Sequence, residues 1–80
     1  MTVNDAVAKR ISALLREKSM SQYRLEQESG IQHGSLQCIM NGRNNSVTLS
    51  TIKKICDGLE ISLQDFFASS VFIDLEQEIK

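Results

Sequence analysis

Eighty residues with no proline, 41% hydrophobic and only 5% aromatic side chains can enclose one small core of short helices, leaving no room for a second domain. A formal charge of −1 argues against a chain that is basic throughout, and no apolar run approaches the roughly 20 residues needed to cross a bilayer. Met1 and Thr2 lead directly into polar sequence without a basic, apolar signal peptide, so a cytoplasmic location is expected, with no membrane partner.

Thr2, Asn4 and Asp5 offer caps for a first helix running to about residue 18, with Val7, Ile11, Leu14 and Leu15 on one face. Arg16 and Lys18 fall in its last turn, where the helix dipole is negative. From Met20 onward one pattern recurs four times: an apolar residue precedes a polar capping position, and a second apolar residue follows five places after the first. The pairs are Met20 and Leu25 around Ser21, Ile31 and Leu36 around Gln32, Val47 and Ile52 around Thr48, and Ile61 and Phe66 around Ser62. Each is a hydrophobic staple beside an N-cap, Gln32 being the weakest cap of the four. Helices are predicted over 22–28, 33–40, 49–59 and 63–68, and Ser62 with Asp65 resembles a capping box.

Gly30 and Gly42 mark the ends of the second and third helices, where the chain turns through a left-handed conformation. Asn44, Asn45 and Ser46 make a polar loop. Gly58 lies inside the fourth helix and should cost about 1 kcal/mol relative to alanine unless a neighbour packs closely on it. In the tail, Phe72, Leu75 and Ile79 fit a helix face, whereas Val71, Ile73 and Leu75 fit a strand face; a helix over 74–79 is preferred. So apolar an end either covers the core or meets a second copy of the chain.

Charge is spread unevenly. Residues 1–58 carry eight basic against five acidic side chains, a balance of +3, whereas residues 59–80 carry five acids and Lys80, a balance of −4. The acidic end is therefore expected to face away from any polyanion. Cys38 and Cys56 both fall in helical patterns, and in a cytosolic chain they are expected as free thiols. His33 and Cys38 are five positions apart, about 140° around a helix, so they do not converge on one metal ion. No metal or other cofactor is expected.

The stretch from Ser21 to Arg43, SQYRLEQESGIQHGSLQCIMNGR, holds two short helical patterns about a tight turn. Leu25 anchors the first, Gly30 marks the turn, and Ile31, Leu36 and Ile39 carry the second, which is a helix-turn-helix. With Arg10, Ile11 and Leu14 before it, Ser21, Gln22, Asn41 and Gly42 within it, and Thr51 to Phe67 after it, the chain resembles the Cro and lambda-repressor type of DNA-binding domain. This is also called the Xre family, and the resemblance covers about four fifths of the chain. It implies an all-α, compact five-helix lambda-repressor-like DNA-binding domain over residues 1–67. Residues 68–80 would be a short C-terminal extension that forms an extra helix or a dimer contact.

On the third helix Leu36, Ile39 and Met40 form one stripe, while Gly34, Gln37, Cys38 and Asn41 lie opposite, with His33 at the entrance. The resemblance implies that this opposite side enters the major groove of double-stranded DNA, making His33, Gly34, Gln37 and Cys38 the candidate base readers. Gln37 is the strongest, because a glutamine amide pairs bidentately with adenine; His33 would donate to guanine or a phosphate. The third helix has no lysine or arginine, so affinity must come from phosphate contacts elsewhere. By resemblance these are Gln22, Asn41, Arg43 and Asn44, with Arg43 foremost, while Lys53 and Lys54 form the wet face of an amphipathic helix.

Two departures from the family matter. Glu26 stands where alanine usually packs against the third helix, which disfavours a close approach of the two helices unless Glu26 rotates outward. Leu15 and Met40 stand where many relatives pair arginine with glutamate, and exchanging both partners for packed hydrophobes preserves the contact.

The reading is a sequence-specific DNA-binding regulator, most simply a small repressor acting as a homodimer on a two-fold operator. The alternative is an antitoxin-like or other protein-interaction subunit that uses the same fold to hold a protein partner. Phe72, Leu75 and Ile79 would then make the dimer or partner contact. One histidine, no paired carboxylates in an evident cleft, no glycine-rich phosphate loop and no metal constellation speak against an enzyme.

Overall fold

Five helices and a closing 3-10 turn make up the described residues, 1–42 and 47–77, of the computed structural model. The helices are α1 (Val3–Glu17), α2 (Gln22–Ser29), α3 (His33–Met40), α4 (Leu49–Leu59) and α5 (Leu63–Phe67), and the 3-10 turn spans Ser70–Phe72. The expected all-α architecture is observed, with no strand among the described residues.

All four stapled positions are N-caps. Ser21 Oγ accepts from the Arg24 N–H at 3.0 Å, Thr48 Oγ1 from the Thr51 N–H at 3.1 Å, and Ser62 Oγ from the Asp65 N–H at 3.0 Å. Gln32 has the extended backbone of a cap but makes no side-chain hydrogen bond. At the start of α1 a full capping box forms: the Asp5 N–H donates to Thr2 Oγ1 and the Thr2 N–H donates to Asp5 Oδ2, each at 3.2 Å. Hydrogen bonds from the Thr2 backbone and hydroxyl hold the Asp5 carboxyl below its ordinary value. The stability it adds is therefore present above the unfolded carboxyl pKa and is lost as pH falls through the depressed native one.

Phe66, Ile11, Leu25, Leu36, Ile39, Ile55, Leu59 and Cys56 form the fully buried centre, and every helix contributes to it. Each large side chain there adds about 1.5–3 kcal/mol of apolar burial. Leu15 belongs to this core and Met40 packs against it, so both apolar departures are turned toward the interior where α1 meets α3.

Gly58 explains how α2 meets α4. A Cβ placed there would lie 3.0 Å from both Cβ and the backbone nitrogen of Ser29 and 3.2 Å from Leu25 Cδ1. The close neighbour that would justify a glycine inside a helix is therefore the end of α2. Just beyond it Gly30 takes φ 74°, its N–H donating to Glu26 O at 3.0 Å, while Ser29 Oγ donates to Leu25 O and accepts from the Ile31 N–H.

Arg10 ties α1 to the far end of the chain. Its Nε donates to Phe66 O and its Nη2 to Asp65 O, both at 2.8 Å; Asp65 O also accepts from the Ala68 N–H at 3.3 Å, so the guanidinium fork clamps the C-terminal carbonyls of the five-residue α5. So short a helix has no stability of its own and depends on such partners.

The tail corrects one expectation. Residues 74–77 carry no helix, and the helical segment lies earlier, at Ser70–Phe72, capped by Ser69 Oγ, which accepts from the Val71 N–H. The Glu76 N–H donates to Met1 O at 3.1 Å instead of to a residue four places back, so the backbone is drawn to the N-terminus. Six residues are in any case too few to nucleate a helix without packing. Phe72 closes an aromatic triangle, its ring centroid 5.9 Å from that of Phe66 and 5.0 Å from that of Phe67. Phe72 thus covers its own core, while the remainder of the predicted segment, including Ile79, lies outside the described residues.

Among the described residues no helix is long and apolar enough to cross a membrane. Cys38 is exposed on α3 and Cys56 is buried, both as free thiols; burial pushes the Cys56 thiol above its ordinary value.

Three outcomes follow from this packing. Gly58→Ala should destabilise by about 1–3 kcal/mol in chemical denaturation, whereas an ordinary helical glycine would gain about 1 from the same change. Arg10→Ala should cost about 1–3 kcal/mol, and lysine, lacking the planar fork, should recover little of it. A thiol reagent should modify Cys38 rapidly and Cys56 only at the rate of unfolding, read as one fast and one slow equivalent.

Candidate nucleic-acid interface

The geometry of α3 is set at its entrance. Gly30 reverses the chain, Ile31 is buried, and Gln32 at φ −67° and ψ 146° aims the next residue into the helix. Leu36 and Ile39 then turn one side of α3 into the core. His33, Gly34, Ser35, Cys38 and Asn41 are exposed on the rest, and Gln37 is half-buried at the margin.

Two polar pairs link this surface to α2. Gln37 Nε2 donates to Oε1 of Gln22, the first residue of α2, at 3.2 Å. An amide that donates one N–H there retains its second N–H and its carbonyl oxygen. The other pair joins His33 Nδ1 to Glu26 Oε2 at 2.7 Å, with Glu26 8% exposed and the His33 side chain 70% exposed. The sequence reading required Glu26 to rotate outward for the helices to approach; instead it stays inside and reaches α3 through the imidazole. A buried carboxylate without such a partner would be strongly disfavoured.

The predicted residues therefore fall into groups. His33, Gly34, Gln37 and Cys38 share the outer side of α3, with Gln22 beside Gln37, and Asn41 caps the C-terminal end of that helix. Arg43 and Asn44 lie outside the described residues. Phe72 and Leu75 lie in the C-terminal segment, both half-buried.

Sequence reasoning missed other groups on this side. Tyr23 is exposed next to Gln22. Lys18, Ser19, Met20, Ser21 and Arg24 line a shallow depression at the start of α2, where Arg24 also pairs with Glu28 at 2.9 Å. Between α3 and α4, Gln32 and Ser35 share a depression with Thr51 and Lys54. Lys53, by contrast, points to Asp57 at 2.6 Å, and that hydrogen bond raises its pKa. The signal that separates the two lysines is their i+4 neighbour: Asp57 follows Lys53 at that spacing, whereas Gly58 follows Lys54 and leaves it no ion-pair partner there.

A narrow helix side with small and amide side chains, flanked by cations and by the N–H groups opening α2, suits a grooved polyanion rather than a small molecule. Comparisons of the chain with curated proteins and with solved structures return no match. A family model described as the Cro/C1-type HTH DNA-binding domain matches residues 10–69, from the middle of α1 to just past α5. That span takes in three quarters of the chain and every element that positions α3, and the chain belongs to the Cro/C1-type helix-turn-helix DNA-binding domain family.

Proposed function

We propose that this DNA-binding regulator is a small sequence-specific repressor that engages a two-fold operator as a dimer, with α3 in the major groove. The observation that carries the reading is the Gln37 to Gln22 hydrogen bond. Once braced by Gln22, the Gln37 amide has one donor and one acceptor left, the pair that adenine N7 and N6 require. Gly34 lets the helix backbone come close, and Cys38 offers an apolar contact to a thymine methyl. Gln22, Asn41, Arg43 and Asn44 hold phosphates, joined by Lys54 from α4 and by Lys18 near the start of α2.

Dimerisation is assigned to the C-terminal segment around Phe72, Leu75 and Ile79. Support comes from two apolar side chains left in solvent next to Phe72, Phe67 at 38% and Ile73 at 74% exposure. Two-fold symmetry then sets half-sites about 34 Å apart, one helical turn of DNA.

The test is binding of the purified protein to the DNA upstream of its own gene, beside a scrambled duplex, at about 50 and 200 mM salt. Preferential binding that weakens with salt is expected, and Lys54→Ala should reduce the salt slope by about 1 per protomer. Equal, weak binding to both duplexes across the full upstream region would overturn the repressor reading. Gln37→Ala should cost about 1–3 kcal/mol against its preferred base pair. Gln22→Ala should lose part of the same discrimination, and the double variant little more than Gln37→Ala alone, because the two amides act as a unit.

A further inference from the structure

We propose that Glu26 is a positioning residue that holds the proton of His33 on Nδ1, making Nε2 of the neutral ring an acceptor for an exocyclic amino group. The donor would be cytosine N4 or adenine N6, at the base pair that meets the start of α3. The inference rests on the reading of α3 as the helix that enters the groove, and it reverses the donor role that the sequence suggests for His33.

An ionised carboxylate can only accept, so at 2.7 Å from Glu26 Oε2 the Nδ1 atom must carry a hydrogen. Free histidine has no such obligation. In a neutral ring with hydrogen on Nδ1, Nε2 is the acceptor, and Nε2 has no partner among the described residues. Burial keeps the carboxylate from turning to solvent, since Glu26 is 8% exposed while the imidazole beyond it is 70% exposed. The next charged groups along α2, Arg24 and Glu28, are engaged with each other and do not compete for the ring. Glu26 and His33 thus form a two-residue relay across the turn: the buried end fixes orientation and tautomer, and the exposed end faces outward from the first position of α3.

His33 is the only histidine in the chain, so one imidazole reports the state directly. In long-range nitrogen–proton spectra of the labelled full chain at about pH 8, above the ordinary imidazole range, Nδ1 should appear protonated and Nε2 bare. In Glu26→Ala, and in the similarly sized Glu26→Met should alanine fail to fold, no oxygen is left to accept from Nδ1 and that bias should disappear. The wild type, both Glu26 variants and His33→Ala are then used to select duplexes from a randomised library. The wild type should enrich cytosine or adenine at one position per half-site. The Glu26 and His33 variants should lose about tenfold of that preference, the worth of one base-edge hydrogen bond, and keep the position read by Gln37.

A wild-type ring protonated on Nε2, or a motif that the folded Glu26 variants keep unchanged, would overturn the proposal alone. Failure of the wild type to enrich any motif would overturn the reading of α3 as a base reader and this proposal with it.

Discussion

The presentation of α3 depends on how closely the end of α2 can lie against α4, and that distance is set by the missing side chain of Gly58. Ser29 occupies the space a Cβ would need. Were the helices forced apart there, the turn at Gly30 would move with them, because Ser29 Oγ, bonded within α2 to Leu25 O, also accepts across that turn from the Ile31 N–H. A helical glycine that weakens its own helix therefore fixes the direction of another. The energetic cost is local to α4, and the geometric benefit appears at the surface of α3.

Polar contacts refine what packing sets. Leu36 and Ile39 hold α3 in the core but leave its rotation to be decided among nearby alternatives. Two cross-helix hydrogen bonds remove that freedom, one from Gln37 to Gln22 and one between His33 and Glu26. They sit at different turns of α3, so together they resist both a slide and a roll of the helix. The buried carboxylate is the costlier of the two arrangements, which is why its partner matters more to the fold than an exposed ion pair such as Lys53 with Asp57.

Much of this was legible residue by residue. The four staples name the N-caps Ser21, Gln32, Thr48 and Ser62, and helix periodicity alone separates the buried from the outward side of α3. Helix ends at Gly30 were visible because glycine advertises a left-handed turn. Those at Ser19 and Glu60 were not, since ordinary residues hold φ 52° and 60° there with no local signal. Contacts between distant segments were equally hidden. Nothing near Arg10 points to the carbonyls of Asp65 and Phe66, and nothing near Gln22 points to Gln37. The tail misled because its apolar spacing fits a helix, whereas the backbone of Glu76 is bonded to Met1. At the site, Glu26 was recognised as a departure, but only its burial beside His33 gives the departure a purpose.

The apolar seam between α1 and α3, with Leu15 in the core and Met40 against it, has a consequence for how the domain responds to its medium. A seam of opposite charges would loosen as electrolyte screened it. A hydrophobic one strengthens, if anything, in salts excluded from protein surfaces. Rising ionic strength can therefore strip the protein from a polyanion while leaving the scaffold that orients α3 intact, so release and rebinding need no refolding step.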